Sequence, residues 1–224
     1  MEAEIKKIIN NLGADLCGIA NIDRFNEAPE GFHPKDLYVD CKSVIVFAKA
    51  VPSGLINVDP RILYSHIKDV CIKEIDRISY LAALEIEKIG AKAIPVPCNT
   101  PYEYWDEINM EGKGLLSMKH AAVLAGLGSL GKSTLLVNKK YGNMINLGAV
   151  LTNLNLSSDP LSEEFCIEGC KICIENCPAS AIFEKHVDQK LCRKESSGKN
   201  EKGFEICLCN RCRILCPVSK RAWF

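Results

Sequence analysis

Residues 165–182 read FCIEGCKICIENCPASAI, and residues 207–217 read CLCNRCRILCP. With Cys192 between them, these two stretches hold nine of the chain's thirteen cysteines. The first sets Cys166, Cys170, Cys173 and Cys177 before Pro178, and the second sets Cys209, Cys212 and Cys216 before Pro217. A three-residue gap closing on Cys-Pro thus occurs twice. Cysteines crowded in this way are either a disulfide framework, which needs an oxidising compartment and usually a short secreted chain, or metal ligands in a reducing one.

The spacing favours metal, and iron-sulfur over zinc. A Cys-x-x-Cys-x-x-Cys-x-x-x-Cys-Pro run holds one cubane with its first three thiolates and reaches a neighbouring cubane with the fourth, as in bacterial ferredoxins. Structural zinc would be content with four ligands and gives no reason for Cys-Pro at the end of both runs. On the interleaved scheme one 4Fe-4S cluster takes Cys166, Cys170, Cys173 and Cys216, while the other takes Cys177, Cys192, Cys209 and Cys212. Cys166 stands one residue further from Cys170 than the usual run has it. Cys192, in HVDQKLC, supplies the thiolate that the second run lacks; Cys207 is the alternative for that place.

Outside this region the totals exclude more than they assign. The 224 residues carry 28 Lys plus Arg against 28 Asp plus Glu, a formal net charge of zero. The basic footprint of a protein that grips phosphates is missing, so stable nucleic-acid binding is not expected, although Lys139-Lys140 forms a local basic pair. The start, MEAEIKKIINNLG, has neither the apolar core nor the cleavage site of a leader. No apolar run approaches the roughly 20 residues that span a bilayer. A cytoplasmic protein with reduced thiols is expected. Cys17, Cys41, Cys71 and Cys98 sit in apolar or mixed surroundings and read as small buried hydrophobes.

Periodicity sketches the rest. Ile5, Ile8, Ile9 and Leu12 give a short amphipathic helix stopped by Gly13, and DLCGIA (15–20) and SVIVFAKAV (43–51) read as buried strands. A long helix is expected from Pro60 to Ile89, closed by Gly90, with its charges forming a solvated face. AKAIPVP (91–97) is a third strand. YEYWDE (102–107) reads as core packing or, less simply, a pocket wall. Residues 115–125 read as helix, with His120 a structural residue, and MINLGAVLTN (144–153) as a strand. LSSDPLSEE (156–164) reads as a polar linker, and SSGKNEKG (196–203) as a flexible surface loop.

GLGSLGKS, Gly126 to Ser133, fits two phosphate-binding patterns at once. As Gly-x-x-x-x-Gly-Lys-Ser it is a Walker A loop, with Lys132 on terminal phosphates and Ser133 on magnesium; as Gly-x-Gly-x-x-Gly it is a dinucleotide fingerprint. Both need a preceding strand, where helical periodicity stands instead. The dinucleotide pattern also wants an acid about 20 residues on, where Asn146 stands.

Extended to AGLGSLGKSTLLVNKKYGNMINLGAVLTN, the segment resembles the core of the cobalamin-dependent epoxyqueuosine reductases and the related reductive dehalogenases. GADLCGIA, HPKDLYVDCKSVIVFAKAVP, FCIEGCKICIENCPASAI, VDQKLC and CLCNRCRILCP agree with that superfamily in the same order. The resemblance implies an α/β, nitroreductase-like three-layer core that binds a corrinoid (residues 1–156), followed by a small ferredoxin-like module with two 4Fe-4S clusters (157–224). Gly126, Gly128 and Gly131 would let backbone approach the corrinoid, with Lys132 and Ser133 as polar contacts. A low-potential donor of ferredoxin or flavodoxin type would reduce the clusters, and these the cobalt, for a small-molecule or nucleoside-like substrate.

The chain departs from the family in two ways. The place of the reductases' proton-donating acid falls near Gly112, beside Glu111, and the dehalogenases' tyrosine could be Tyr102 or Tyr104, so no catalytic residue is assigned. The sequence also ends at Phe224 without the helical-repeat extension of the epoxyqueuosine reductases. Three functions follow: an iron-sulfur, cobalamin-dependent reductase; a non-catalytic electron-transfer protein serving a partner; and a P-loop ATPase coupled to clusters.

Overall fold

The computed structural model describes residues 1–58 and 61–221. Pro60, expected to open the long helix, and Phe224 lie outside the described residues. The first helix, α1 (Glu2–Asn11), buries Ile5 and Ile9 completely and gives way at Gly13, whose φ of +109° favours glycine. Then come β1 (Leu16–Asn21), a short capped turn α2 (Pro34–Leu37), β2 (Ser43–Ala50) and the 28-residue α3 (Arg61–Lys88). Gly90, at φ +85°, follows α3 in the left-handed conformation that commonly ends helices. β3 (Ala93–Val96), the hairpin of β4 (Tyr104–Asp106) and β5 (Glu111–Lys113), α4 (Met118–Leu124), the small hairpin β6 (Ser129–Leu130) and β7 (Leu136–Val137), and β8 (Ile145–Thr152) complete this part.

The main sheet has the order β1-β2-β8-β3, and every pairing in it is antiparallel. Each strand contributes to two cores because successive side chains point to opposite faces. Ile19, Ile45, Phe47 and Val150 pack with Ile5 and Ile9 of α1 and Ile75, Ile78, Ala82 and Ile86 of α3. Val44, Val46, Ala48, Ala149 and Leu151 face the other way, onto Ala121, Ala122 and Ala125 at and after α4. Helices on both faces explain why β2 reads as an unbroken apolar run. They make a mixed α/β sandwich of three layers. Contact between β1 and the end of α4 is close: a Cβ on Gly18 would stand 2.2 Å from the Ala125 carbonyl oxygen.

Residues 156–164, expected as a free linker, are stitched along the edge of β1. Asp159 Oδ2 accepts from the Ile19 amide at 2.8 Å, its own amide donates to the Ile19 carbonyl at 2.9 Å, and its other oxygen pairs with Lys6. Ser158 Oγ accepts from the Asn21 amide at 2.8 Å. The linker thereby covers a strand edge that would otherwise be open.

The cysteine-rich half is built of short pieces: α5 (Ile172–Glu175), β9 (Ile182–Phe183), β10 (His186–Val187), α6 (Gln189–Ser196), β11 (Ser197–Lys199), β12 (Glu205–Cys207), α7 (Arg211–Ile214) and α8 (Pro217–Arg221). SSGKNEKG is therefore not a loose loop: β11 pairs with β12 through Ser197–Cys207 and Lys199–Glu205. Among the described residues of this half only Ala181, Ile182, Asn210 and Ser219 are buried. A module of this size with so small a core depends on something other than apolar burial.

Candidate metal centre

Lys132 joins the two halves at the first cysteine run. It leaves the β6–β7 hairpin and donates from Nζ to the carbonyl oxygen of Cys170 at 2.9 Å and of Ile167 at 3.5 Å. Its own carbonyl accepts from the Lys185 amide at 3.1 Å. Beside it lies a cavity lined by Gly131, Lys132 and Ser133 on one side, and by Cys166, Cys170, Cys173, Cys212 and Cys216 on the other. Four of these five cysteines are the set read from the sequence as the first cluster's ligands.

Electrostatics separates the thiols in the same way. Burial, then the neighbouring Cys166, Cys216 and Cys170, pushes the Cys173 thiol above its ordinary pKa. Burial also raises Cys192, which feels Cys177 and Cys209. Cys212 is pushed up to about 11, mainly by burial; Arg213 opposes the shift, while Cys192, Cys209 and Cys173 add to it. Cys173 and Cys212 are where the two sets meet. Among the described residues no three or more His, Cys, Asp or Glu side chains gather closely enough to hold a single metal ion.

Cys207, the alternative to Cys192, turns elsewhere: its thiol donates to the Cys209 carbonyl at 3.3 Å, and its amide donates to Ser65 Oγ of α3 at 2.7 Å. Around Cys177 the Ala181 amide donates to the sulfur at 3.3 Å, a contact of the kind that steadies a thiolate. Of the four remaining cysteines, expected as small buried hydrophobes, two are buried and Cys17 and Cys98 are half-buried. Cys41 and Cys71 are buried, and burial pushes Cys17 and Cys98 up to about 12.

The second run is anchored by a polar knot. Asn143, 1% exposed, donates from Nδ2 to the Cys212 carbonyl at 2.9 Å; its amide donates to Ser219 Oγ at 2.9 Å, and its Oδ1 accepts from that hydroxyl at 2.8 Å. Arg213 donates to the carbonyls of Asn143 and Ile145, the latter at 3.0 Å, and to Asn146 Oδ1 at 3.3 Å. Asn146, read only as a missing acid, is thus a docking contact. The hairpin β4–β5 holds α6 and with it Cys192. Gln189 accepts from the Gly112 amide at 3.0 Å, and the Arg193 guanidinium lies 5.3 and 5.1 Å from the ring centres of Tyr102 and Trp105, themselves stacked 5.7 Å apart. With Tyr104 and Trp105 47% and 46% exposed, YEYWDE is a clamp on the surface and not core.

The glycine segment does not do what its patterns suggest. Helix α4 precedes it and a hairpin follows it, so there is neither the strand before a Walker loop nor the helix whose N-terminus would take phosphate. Lys132 is engaged by carbonyl oxygens. At Gly126 and Gly128, expected as part of the corrinoid cradle, added Cβ atoms would lie 2.2 Å from the Pro160 oxygen and 2.3 Å from the Val137 oxygen, so both glycines allow close backbone packing within the chain. Gly131, Lys132 and Ser133 face the first cysteine set instead. His120 is exposed and bonded to Ser117 Oγ at 2.7 Å, in keeping with a structural role.

A three-layer antiparallel sandwich tied to a double cysteine module defines a class within which relatives were found. A tetrachloroethene reductive dehalogenase of Desulfitobacterium hafniense is 27% identical over 205 residues, covering 90% of this chain and 33% of its own length. An epoxyqueuosine reductase of Bacillus cereus is 27% identical over 207 residues, covering 84% of this chain and 51% of its own. In fold, the epoxyqueuosine reductase of Streptococcus thermophilus matches with a TM-score of 0.70 at 19% identity, over 98% of this chain and 66% of that one. The catabolic reductive dehalogenase NpRdhA matches with a TM-score of 0.70 at 19% identity, over 96% of this chain and 31% of that one. No protein-family model matches. The chain is thus a relative of the epoxyqueuosine reductases and the reductive dehalogenases, and the resemblance seen in its motifs holds. It spans about a third to a half of the length of these two curated relatives.

Proposed function

We propose that this protein is an iron-sulfur reductase that passes electrons through two 4Fe-4S clusters to a reaction centre in its sandwich domain. One observation carries the reading: cysteines 43 to 50 residues apart in sequence, Cys166, Cys170 and Cys173 with Cys216, line one cavity. Cys166, Cys170, Cys173 and Cys216 would hold one cluster; Cys177, Cys192, Cys209 and Cys212 would hold the other. Such clusters supply reversible one-electron storage. The chain's own part is positional. Lys132 fixes the loop that carries Cys166 and Cys170, Asn143 and Arg213 fix the second run to β8, and the Tyr102–Trp105–Arg193 stack fixes α6. Proximity of Cys173 to Cys212 puts the two sets side by side, which favours transfer between them.

The wider activity rests on the relatives. One structural neighbour is a reductive dehalogenase described for B12-dependent dehalogenation, and an epoxyqueuosine reductase neighbour was solved with an epoxyqueuosine-modified tRNA stem loop. A corrinoid and a small-molecule or nucleoside-like substrate are accordingly part of the proposal, as is a low-potential donor of ferredoxin or flavodoxin type. No step is assigned to the corrinoid. The close packing of Gly126 and Gly128 on the backbone of Pro160 and Val137 favours a second reading, an electron-transfer protein that serves a partner enzyme. Titration of anaerobically purified, cluster-loaded protein with cobalamin separates the two. A changed cobalt spectrum supports the corrinoid reductase, and an unchanged one supports the carrier. Among the described residues no helix is long and apolar enough to cross a membrane.

A further inference from the structure

Asn210 lies between two proposed ligands, Cys209 and Cys212, and is 3% exposed. An asparagine just before a helix ordinarily caps it, yet at the head of α7 this side chain makes no capping bond. It is held from behind instead: Arg61, the first residue of α3, donates from Nη1 to Asn210 Oδ1 at 2.5 Å. A guanidinium has donors only, so the amide oxygen must face Arg61 and the NH2 group must point the other way. That nitrogen is fully buried and has no hydrogen-bond partner among the described protein atoms. Its backbone carbonyl is already used by the amides of Arg213 and Ile214, at 2.9 and 3.2 Å. An oriented, buried donor without an acceptor, on a residue that stands between two proposed ligands in sequence, points to an acceptor that is not part of the polypeptide.

We propose that Asn210 Nδ2 donates a hydrogen bond to a sulfur of the second cluster, with Arg61 holding the amide in place, so that this residue sets that cluster's reduction potential. The inference rests on the cluster reading above. Reduction adds one electron to the cluster and makes its sulfurs more negative. A donor aimed at them stabilises the reduced form and raises the potential. Arg61 belongs to the sandwich domain, so the core would tune the redox centre of the other half across their interface.

The test is an EPR-monitored redox titration of the full, cluster-loaded chain and two variants. Asn210→Leu removes the donor at similar volume; Arg61→Met leaves Asn210 in place but unclamped. With Asn210→Leu, one of the two midpoints should fall by about 59 mV, the one-electron equivalent of a tenfold shift in the oxidised-to-reduced ratio. The other midpoint and the iron content should stay as in the parent. Arg61→Met should lower the same midpoint by a smaller amount. Unchanged midpoints at full iron content would overturn the proposal. If Asn210→Leu fails to assemble its second cluster, Arg61→Met decides, and an unshifted midpoint there overturns it. A parent protein without iron would defeat the cluster reading itself, a different result from full iron with no shift.

Discussion

Lys132 shows how a residue's chemistry depends on what stands opposite it. In a Walker loop its ammonium would meet phosphate; here it meets the carbonyl oxygens of Ile167 and Cys170, inside the loop that carries two proposed ligands. Lys132→Met should therefore unfasten the first set and leave the second, dropping iron from about eight to about four atoms per chain. Iron analysis with EPR checks this; an unchanged count would show that the carbonyl contacts do not matter. Asn143 is the corresponding point for the second run. Asn143→Ala removes the side-chain bond to the Cys212 carbonyl and leaves the buried Ser219 hydroxyl proton without its acceptor, at a cost of about 1–3 kcal/mol, measurable as a lowered denaturation midpoint. Neither role was visible in the sequence. Lys132 carried a misleading local signal, and Asn143 carried none because its partners lie 69 and 76 positions away.

Elements were read more faithfully than their uses. The four strands of the main sheet and the long helix were legible because apolar runs and helical spacing reflect burial directly. The clamp formed by β4 and β5 was not. Tyr102 and Trp105 read as core because aromatic residues usually are, and the cation that covers them, Arg193, lies on a distant helix. The hairpin of β11 and β12 was masked by polar, glycine-bearing sequence that reads equally well as a loop. Layer packing can be probed at Gly18. A methyl there would press on the Ala125 carbonyl at 2.2 Å, so Gly18→Ala should force β1 and α4 apart. The loss should be about 1–3 kcal/mol, the range for overpacking, read from chemical denaturation. An unaltered midpoint would mean that the two layers are not in contact.

At the scale of the whole molecule the two halves are stabilised differently. The sandwich has two continuous cores on either face of one sheet, whereas the cysteine half has four buried residues among those described. Removing iron with a chelator under anaerobic conditions should thus release residues 165–221 to rapid hydrogen exchange while β2 and β8 stay protected. Uniform exchange across both halves, or none in either, would contradict this division. That Cys166, Cys170, Cys173 and Cys216 come together at one cavity was legible from spacing, since ligand geometry constrains sequence tightly. The packing of Gly126 and Gly128 on Pro160 and Val137 was not legible, because those partners lie outside the glycine segment itself. The most direct measurement is the iron and acid-labile sulfide content of anaerobically purified protein. Two cubanes require about eight of each per chain. Protein free of both, or one whose thiols are satisfied by zinc alone, would contradict the redox assignment.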